Sequence, residues 1–155
     1  MNDSAIGEDD PRSADVRELL ARHLELMHSQ SPPRDVHALD LDGLLDPAVS
    51  FYSFRLHGRL LGVGALKQLD AAHGELKSMH TAAAARGRGI GRSMLGHLIG
   101  VARGRGYTRL SLETGSMAGF APARSLYERA GFAYCGPFAG YSPSPNSVFM
   151  TLALA

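Results

Sequence analysis

Apolar positions along the chain change period several times, and each change marks an element. Val16, Leu19, Leu20, His23, Leu24 and Met27 recur at spacings of three and four after Ser13. That spacing predicts an amphipathic helix with Ser13 as its cap. Ser31-Pro32-Pro33 stops it, because proline lacks an N–H and disfavours helical geometry in the residue before it. A second, short helix is expected over residues 38–45, ended by Asp46-Pro47. The period then shortens. Residues 49–56, the turn His57-Gly58-Arg59 and residues 60–69 are rich in β-branched, aromatic and aliphatic side chains, which predicts a β-hairpin.

A turn at Ala71-Ala72-His73-Gly74 leads into a strand at residues 75–81 and then a small, featureless link, 82–85. Ile90, Met94, Leu95, Leu98, Ile99 and Ala102 return to helical spacing, and Gly104-Arg105-Gly106 closes that helix, as glycine does at helix C-termini. Residues 108–114 alternate about Leu110 and Leu112 as a further strand. Residues 122–130 read as a helix ended by Gly131, and 132–135 resume extended structure. A loop with Pro137, Pro143 and Pro145 precedes a last strand at 147–154. Its apolar side chains suggest an exposed edge, on which a homodimer is expected. The first 12 residues are acidic and polar, an N-terminus free to be flexible, with at most a short strand at Ala5 and Ile6. The fold class is α+β: a mostly antiparallel sheet flanked by helices, with one strand–helix–strand crossover in the middle.

The crossover carries the chemistry. Its strand and link lead into Arg86-Gly87-Arg88-Gly89-Ile90-Gly91, which opens the long helix, followed by Arg92 and Ser93. Backbone N–H groups at a helix N-terminus lack internal partners, and the peptide dipoles add positive potential there. Glycine admits an anion close to that backbone, and Arg86, Arg88 and Arg92 add charge. This is a site for phosphate or pyrophosphate. It is not a P-loop, because no Gly-Lys-Ser/Thr run exists. Nor is it a dinucleotide fingerprint, since Arg92 or Met94 stands where the third glycine belongs. The pattern that fits is Arg-x-x-Gly-x-Gly.

Composition narrows the class. At 155 residues with a net charge of +1, one domain spanning 1–155 is expected, and no nucleic-acid partner. No apolar run approaches a membrane span, and no secretory pattern opens the chain. The seven histidines are scattered and Cys135 is the single cysteine, so no metal site is expected. Cys135 itself reads as a small buried residue. A cytoplasmic protein without metal or membrane contact is the expectation.

A second motif, Ala123-x-x-Leu126-Tyr127-x-x-x-Gly131-Phe132, lies on the helix and strand after the crossover. Together the two motifs resemble the acyl-CoA pyrophosphate loop and the A-x-x-L-Y-x-x-x-G-F block of the GNAT superfamily of N-acetyltransferases. The likeness covers about residues 15–154. It implies a GNAT fold and transfer of an acetyl group from acetyl-CoA, as co-substrate, to a primary amine of a small molecule or peptide. It implies pyrophosphate contacts from Arg86, Gly87, Arg88, Gly89, Ile90, Gly91, Arg92 and Ser93. Met79, His80 and Thr81 would align the thioester and pantetheine through their backbone. Tyr127, beside the sulfur, would be the general acid. Some members carry asparagine three residues before the motif's alanine; here that position is Phe120, which is included among the cofactor contacts. Acceptor specificity would lie after the first helix, about Arg34, Asp35 and His37.

The amine must also lose a proton. Glu113, at the end of its strand and near the expected gap beside residues 75–81, is preferred over Glu75 as proton acceptor or anchor for a cationic acceptor. Two other classes stay open: a non-catalytic acyl-CoA-binding regulator of the same fold, and a nucleotide-binding module using residues 86–92 alone.

Overall fold

The computed structural model describes residues 4–30 and 41–154. In chain order these form β1 (Ser4–Glu8), α1 (Ala14–Gln30), α2 (Leu41–Leu44), β2 (Val49–Leu56) and β3 (Arg59–Gln68). There follow β4 (His73–Thr81), α3 (Ile90–Gly104), β5 (Arg109–Gly115), α4 (Ala121–Arg129), β6 (Ala133–Cys135) and β7 (Ser147–Ala153). The strands make one sheet in the order β1-β2-β3-β4-β5-β7-β6.

Successive strand residues face opposite sides of a sheet, and here each side has its own core. Ala65 joins Val16, Leu19, Leu20, Phe51 and Val63 under α1. Its neighbour Leu66 joins Met94, Leu95, Leu98, Leu76 and Leu110 under α3. Helix α3 sits close to the sheet. A Cβ built on Gly64 would lie 2.9 Å from Met79 Sδ and 3.0 Å from Leu98 and Met94, so only glycine fits there without displacement.

The central pair, β4 and β5, is parallel and short. Its register is confined to His73–Arg109, Gly74–Leu110 and Glu75–Ser111, whereas β4 pairs with β3 as far as Thr81. Beyond Glu75 the two strands part, and the sheet opens into a wedge. A bulge interrupts β4 at the same place: Ala65 faces Lys77 and Val63 faces His80, so Ser78 and Met79 together oppose Gly64. Ser78 takes a left-handed backbone, with φ of 55°.

Three expectations change. β1 is a full strand of five residues paired along β2, longer than Ala5 and Ile6 suggested. The last strand is not an edge. β7 lies between β5 and β6, so the ground for expecting a dimer through it is gone. Cys135 is exposed, not buried, because three-residue β6 caps that side of the sheet. The short helix is described as Leu41–Leu44; residues 38–40, like Arg34, Asp35 and His37, lie outside the described residues.

Candidate active site

Helix α3 begins without a side-chain cap. Its N-cap is Gly89, at φ 80°, a conformation that costs L-residues and suits glycine. Gly87 has φ 79°. The Ser93 amide donates to the Gly89 carbonyl at 3.0 Å, so the amides of Ile90, Gly91 and Arg92 fall within the unpartnered first turn. Arg88, Arg92 and Ser93 are exposed around this turn, and Arg86 Nε donates to the Thr81 carbonyl at 3.4 Å. The fold brings three separate segments together here. A Cβ on Gly91 would lie 3.5 Å from Leu126 Cδ2 and 3.6 Å from Thr81 Oγ1. The end of β4, the start of α3 and the middle of α4 therefore meet at one residue.

Tyr127, next to Leu126, is 6% exposed, and its ring packs edge-on against Phe132 at 5.8 Å. Burial pushes its phenol up to about 12, so it is a protonated hydrogen-bond donor at neutral pH. Phe120 is buried with its ring against Gly115, where a Cβ would meet it at 2.2 Å. Packing against β5 occupies that ring. The Met79 side chain packs against the α3 core.

The wedge holds polar groups that no local pattern announced. Ser78 Oγ is buried and has no hydrogen-bond partner, and it sits on the left-handed bulge residue. A buried unpaired hydroxyl on a strained residue is a mark of functional sites. Glu75, 2% exposed, accepts hydrogen bonds from Tyr141 Oη at 2.6 Å and Lys77 Nζ at 3.1 Å. Lys77 Nζ also donates to Tyr141 Oη at 2.6 Å. Burial first, then the Glu75 and Glu113 charges, raises the Tyr141 phenol well above its ordinary range. Glu113 is half-buried on β5, two residues past the last β4–β5 pair. Glu75 is committed to its ion pair; Glu113 stands on the opened part of the wedge.

On the other wall, His80 Nδ1 lies 3.2 Å from His23 Nδ1, with ring centroids 4.9 Å apart. His80, Ala83 and Arg86 with Arg22, Glu25 and Leu26 of α1 line an open cleft of about 370 Å³. Burial lowers both imidazoles to about 4; the His23 ring and then the Arg86 charge add to the effect at His80. Folded, both rings stay neutral where the unfolded chain takes up protons, so stability falls as pH drops from about 6.5 towards 4. For His23 that lowering corresponds to about 3 kcal/mol. Urea denaturation at pH 7 and pH 4.5 should show a smaller acid loss for His23→Gln than for the parent. Equal losses would contradict the buried neutral ring.

Among the described residues, no group of three His, Cys, Asp or Glu side chains could hold a metal. None of the described helices is long and apolar enough to cross a membrane.

This seven-stranded sheet, parted at its parallel pair and carrying an uncapped glycine-arginine helix start, is the architecture of an acyl-CoA acyltransferase. The acetyltransferase (GNAT) family model matches residues 14–132, and the chain belongs to that family. It is 51% identical over 146 residues to the uncharacterised N-acetyltransferase YsnE of Bacillus subtilis, covering 94% of this chain and 97% of that protein. The crystal structure of a Klebsiella pneumoniae protein described as an acyl-CoA N-acyltransferase superposes with a TM-score of 0.83 and 30% identity, covering 98% of each chain. A GNAT family acetyltransferase of Elizabethkingia anophelis, with acetyl-CoA bound, shares the fold at a TM-score of 0.69 and 15% identity, over 99% of this chain and 100% of that one.

Proposed function

We propose that this chain moves an acetyl group from acetyl-CoA to a primary amine of a small molecule or peptide, by direct attack of the amine on the thioester. The meeting of Thr81, Gly91 and Leu126 carries the reading. It sets the anion-binding turn, the end of the parted strand and the Tyr127 helix side by side. Arg86, Gly87, Arg88, Gly89, Ile90, Gly91, Arg92 and Ser93 hold the pyrophosphate. The backbone of Met79, His80 and Thr81 aligns the thioester arm, with Phe120 behind it as packing. A phenol near 12 is a weaker acid than a thiol at about 8.5. Tyr127 therefore supports the departing sulfur chiefly as a hydrogen-bond donor. Glu113 draws the ammonium form of the acceptor into the wedge. No covalent enzyme intermediate enters this scheme.

Thiol release from acetyl-CoA with spermidine, tyramine, glycinamide and a lysine peptide tests the reading, beside calorimetry with acetyl-CoA and ATP. Acetyl-CoA binding with thiol release in at least one amine supports it. Binding without release to any of them would favour a non-catalytic acyl-CoA regulator, and preference for ATP would favour a nucleotide module. Gly91→Val tests the loop itself. The protein atoms near Gly91 leave ordinary room for a first carbon, so the fold should survive. A branched side chain would stand where the phosphates approach. Acetyl-CoA affinity should fall at least about tenfold, about 1.4 kcal/mol; unchanged affinity in a folded variant would refute the assignment.

A further inference from the structure

We propose that His23 and His80 form a proton-accepting dyad for the acceptor amine, in which His80 Nε2 takes the proton and His23 positions that ring. The inference rests on the acetyltransferase reading and gives the amine proton a destination on the β4 wall, leaving Glu113 as the anchor opposite.

The geometry constrains the tautomers. Two neutral imidazoles joined through Nδ1 and Nδ1 at 3.2 Å need one donor and one acceptor at that contact, so the rings hold their protons on opposite nitrogens. When His80 Nδ1–H donates to His23 Nδ1, His80 Nε2 carries a bare lone pair. His80 also follows the Ser78 bulge by two residues, on the strand that borders the wedge, and forms part of the cleft wall beside Arg86. A base, its orienting partner and an opening to solvent are thus contiguous.

The step balances. The amine nitrogen bonds to the acetyl carbon, and the carbon–sulfur bond breaks. The thiolate leaves towards the Tyr127 hydroxyl. The second proton of the nitrogen, lost as the amide forms, goes to the thiolate. The first, whose loss turns the bound ammonium into the free amine, passes beforehand to His80 Nε2, and the resulting imidazolium keeps its Nδ1–H on His23. It then discharges through the cleft between Arg22, Glu25 and Arg86. The charged groups around the dyad explain its timing. From α1 come Arg22, which is paired with Glu18 at 3.0 Å, and Glu25; β3 contributes apolar Val63 opposite His80. Burial is the chief influence against a protonated His80, the neighbouring His23 the next and the Arg86 charge the third, and Arg86 is also assigned to the pyrophosphate. Acetyl-CoA binding neutralises that charge, so the loaded enzyme has the stronger base.

NMR titration of the imidazole nitrogens in the intact protein tests this without turnover. The expected result is opposite tautomers for His23 and His80, and an upward move of the His80 midpoint when acetyl-CoA is added. Matching tautomers, or a midpoint unmoved by bound acetyl-CoA, would overturn the dyad. In kinetics with the panel amine of highest turnover, His80→Gln should lower kcat by about 100-fold near neutral pH, with acetyl-CoA affinity kept by calorimetry. The loss should shrink as pH rises and the amine deprotonates unaided. His23→Leu should fall in the same pH-dependent way, and His23→Gln, whose carbonyl can accept from His80, should recover most of it. A loss equal at every pH, or none, would overturn the proposal. Failure of the parent protein to bind acetyl-CoA would instead overturn the acetyltransferase reading.

Discussion

Tyr127→Phe is expected to lower kcat by about 100-fold or more, with little change in acetyl-CoA affinity. The substitution removes one oxygen and keeps the ring, so the edge-on contact with Phe132 and the packing of α4 against Gly91 persist. What disappears is a donor in a water-poor position, where a hydrogen bond to developing charge is worth far more than in solvent. The charge on sulfur exists in the transition state and not in the bound thioester. Both kcat and kcat/KM should therefore fall together. Calorimetry and steady-state rates on the same preparation distinguish the outcomes. A folded variant with parental kcat would remove Tyr127 from the chemistry and leave it as a core aromatic. Glu113→Gln is a useful companion: an anchor for a cationic amine should raise KM more than it lowers kcat, and parental kinetics would exclude it as base and anchor alike.

The second large effect concerns stability. Lys77→Met should destabilise the protein by about 3–5 kcal/mol, measured by urea denaturation at pH 7. The Lys77 side chain is 7% exposed and that of Glu75 3%, so removing the ammonium leaves a buried carboxylate that accepts from the neutral Tyr141 hydroxyl without its counter-charge. Tyr141 ties the segment between β6 and β7 to β4, and it packs on Phe138 and Phe149. Its anchor loosens with the ion pair, so the wedge should lose order along with stability. The double variant Glu75→Gln with Lys77→Met should recover much of the loss, because the uncompensated charge is gone. A single-variant loss below about 1 kcal/mol would mean that water or other groups satisfy Glu75.

These two sites differ in how far the sequence revealed them. The Arg86–Gly91 turn and the Leu126-Tyr127 block are contiguous runs, and each works through local backbone geometry, so residue type and spacing suffice. The hairpin and α3 were legible for the same reason: their apolar periods are uninterrupted. The wedge was not. Tyr141 and Glu75 are 66 residues apart, and His23 and His80 are 57 apart; no period links them before the sheet forms. The bulge at Ser78 is a mismatch between β3 and β4, and nothing in Lys77-Ser78-Met79 marks an extra residue. β7 misled because an apolar strand reads alike at an edge and inside a sheet. Its true place depends on β6, whose three exposed residues carry almost no pattern. Cys135 lies on that strand and shares its exposure.

Direct transfer is the central claim, and a quenched single-turnover experiment with acetyl-labelled acetyl-CoA tests it most closely. The amine is the one found by the thiol-release panel, and label on protein and on amine is followed over time. The expected result is label appearing on the amine in step with thiol release, with none on the protein at any time. Labelled protein that forms first and then passes its acetyl group to the amine would contradict the account, and so would thiol release that leaves the amine unlabelled.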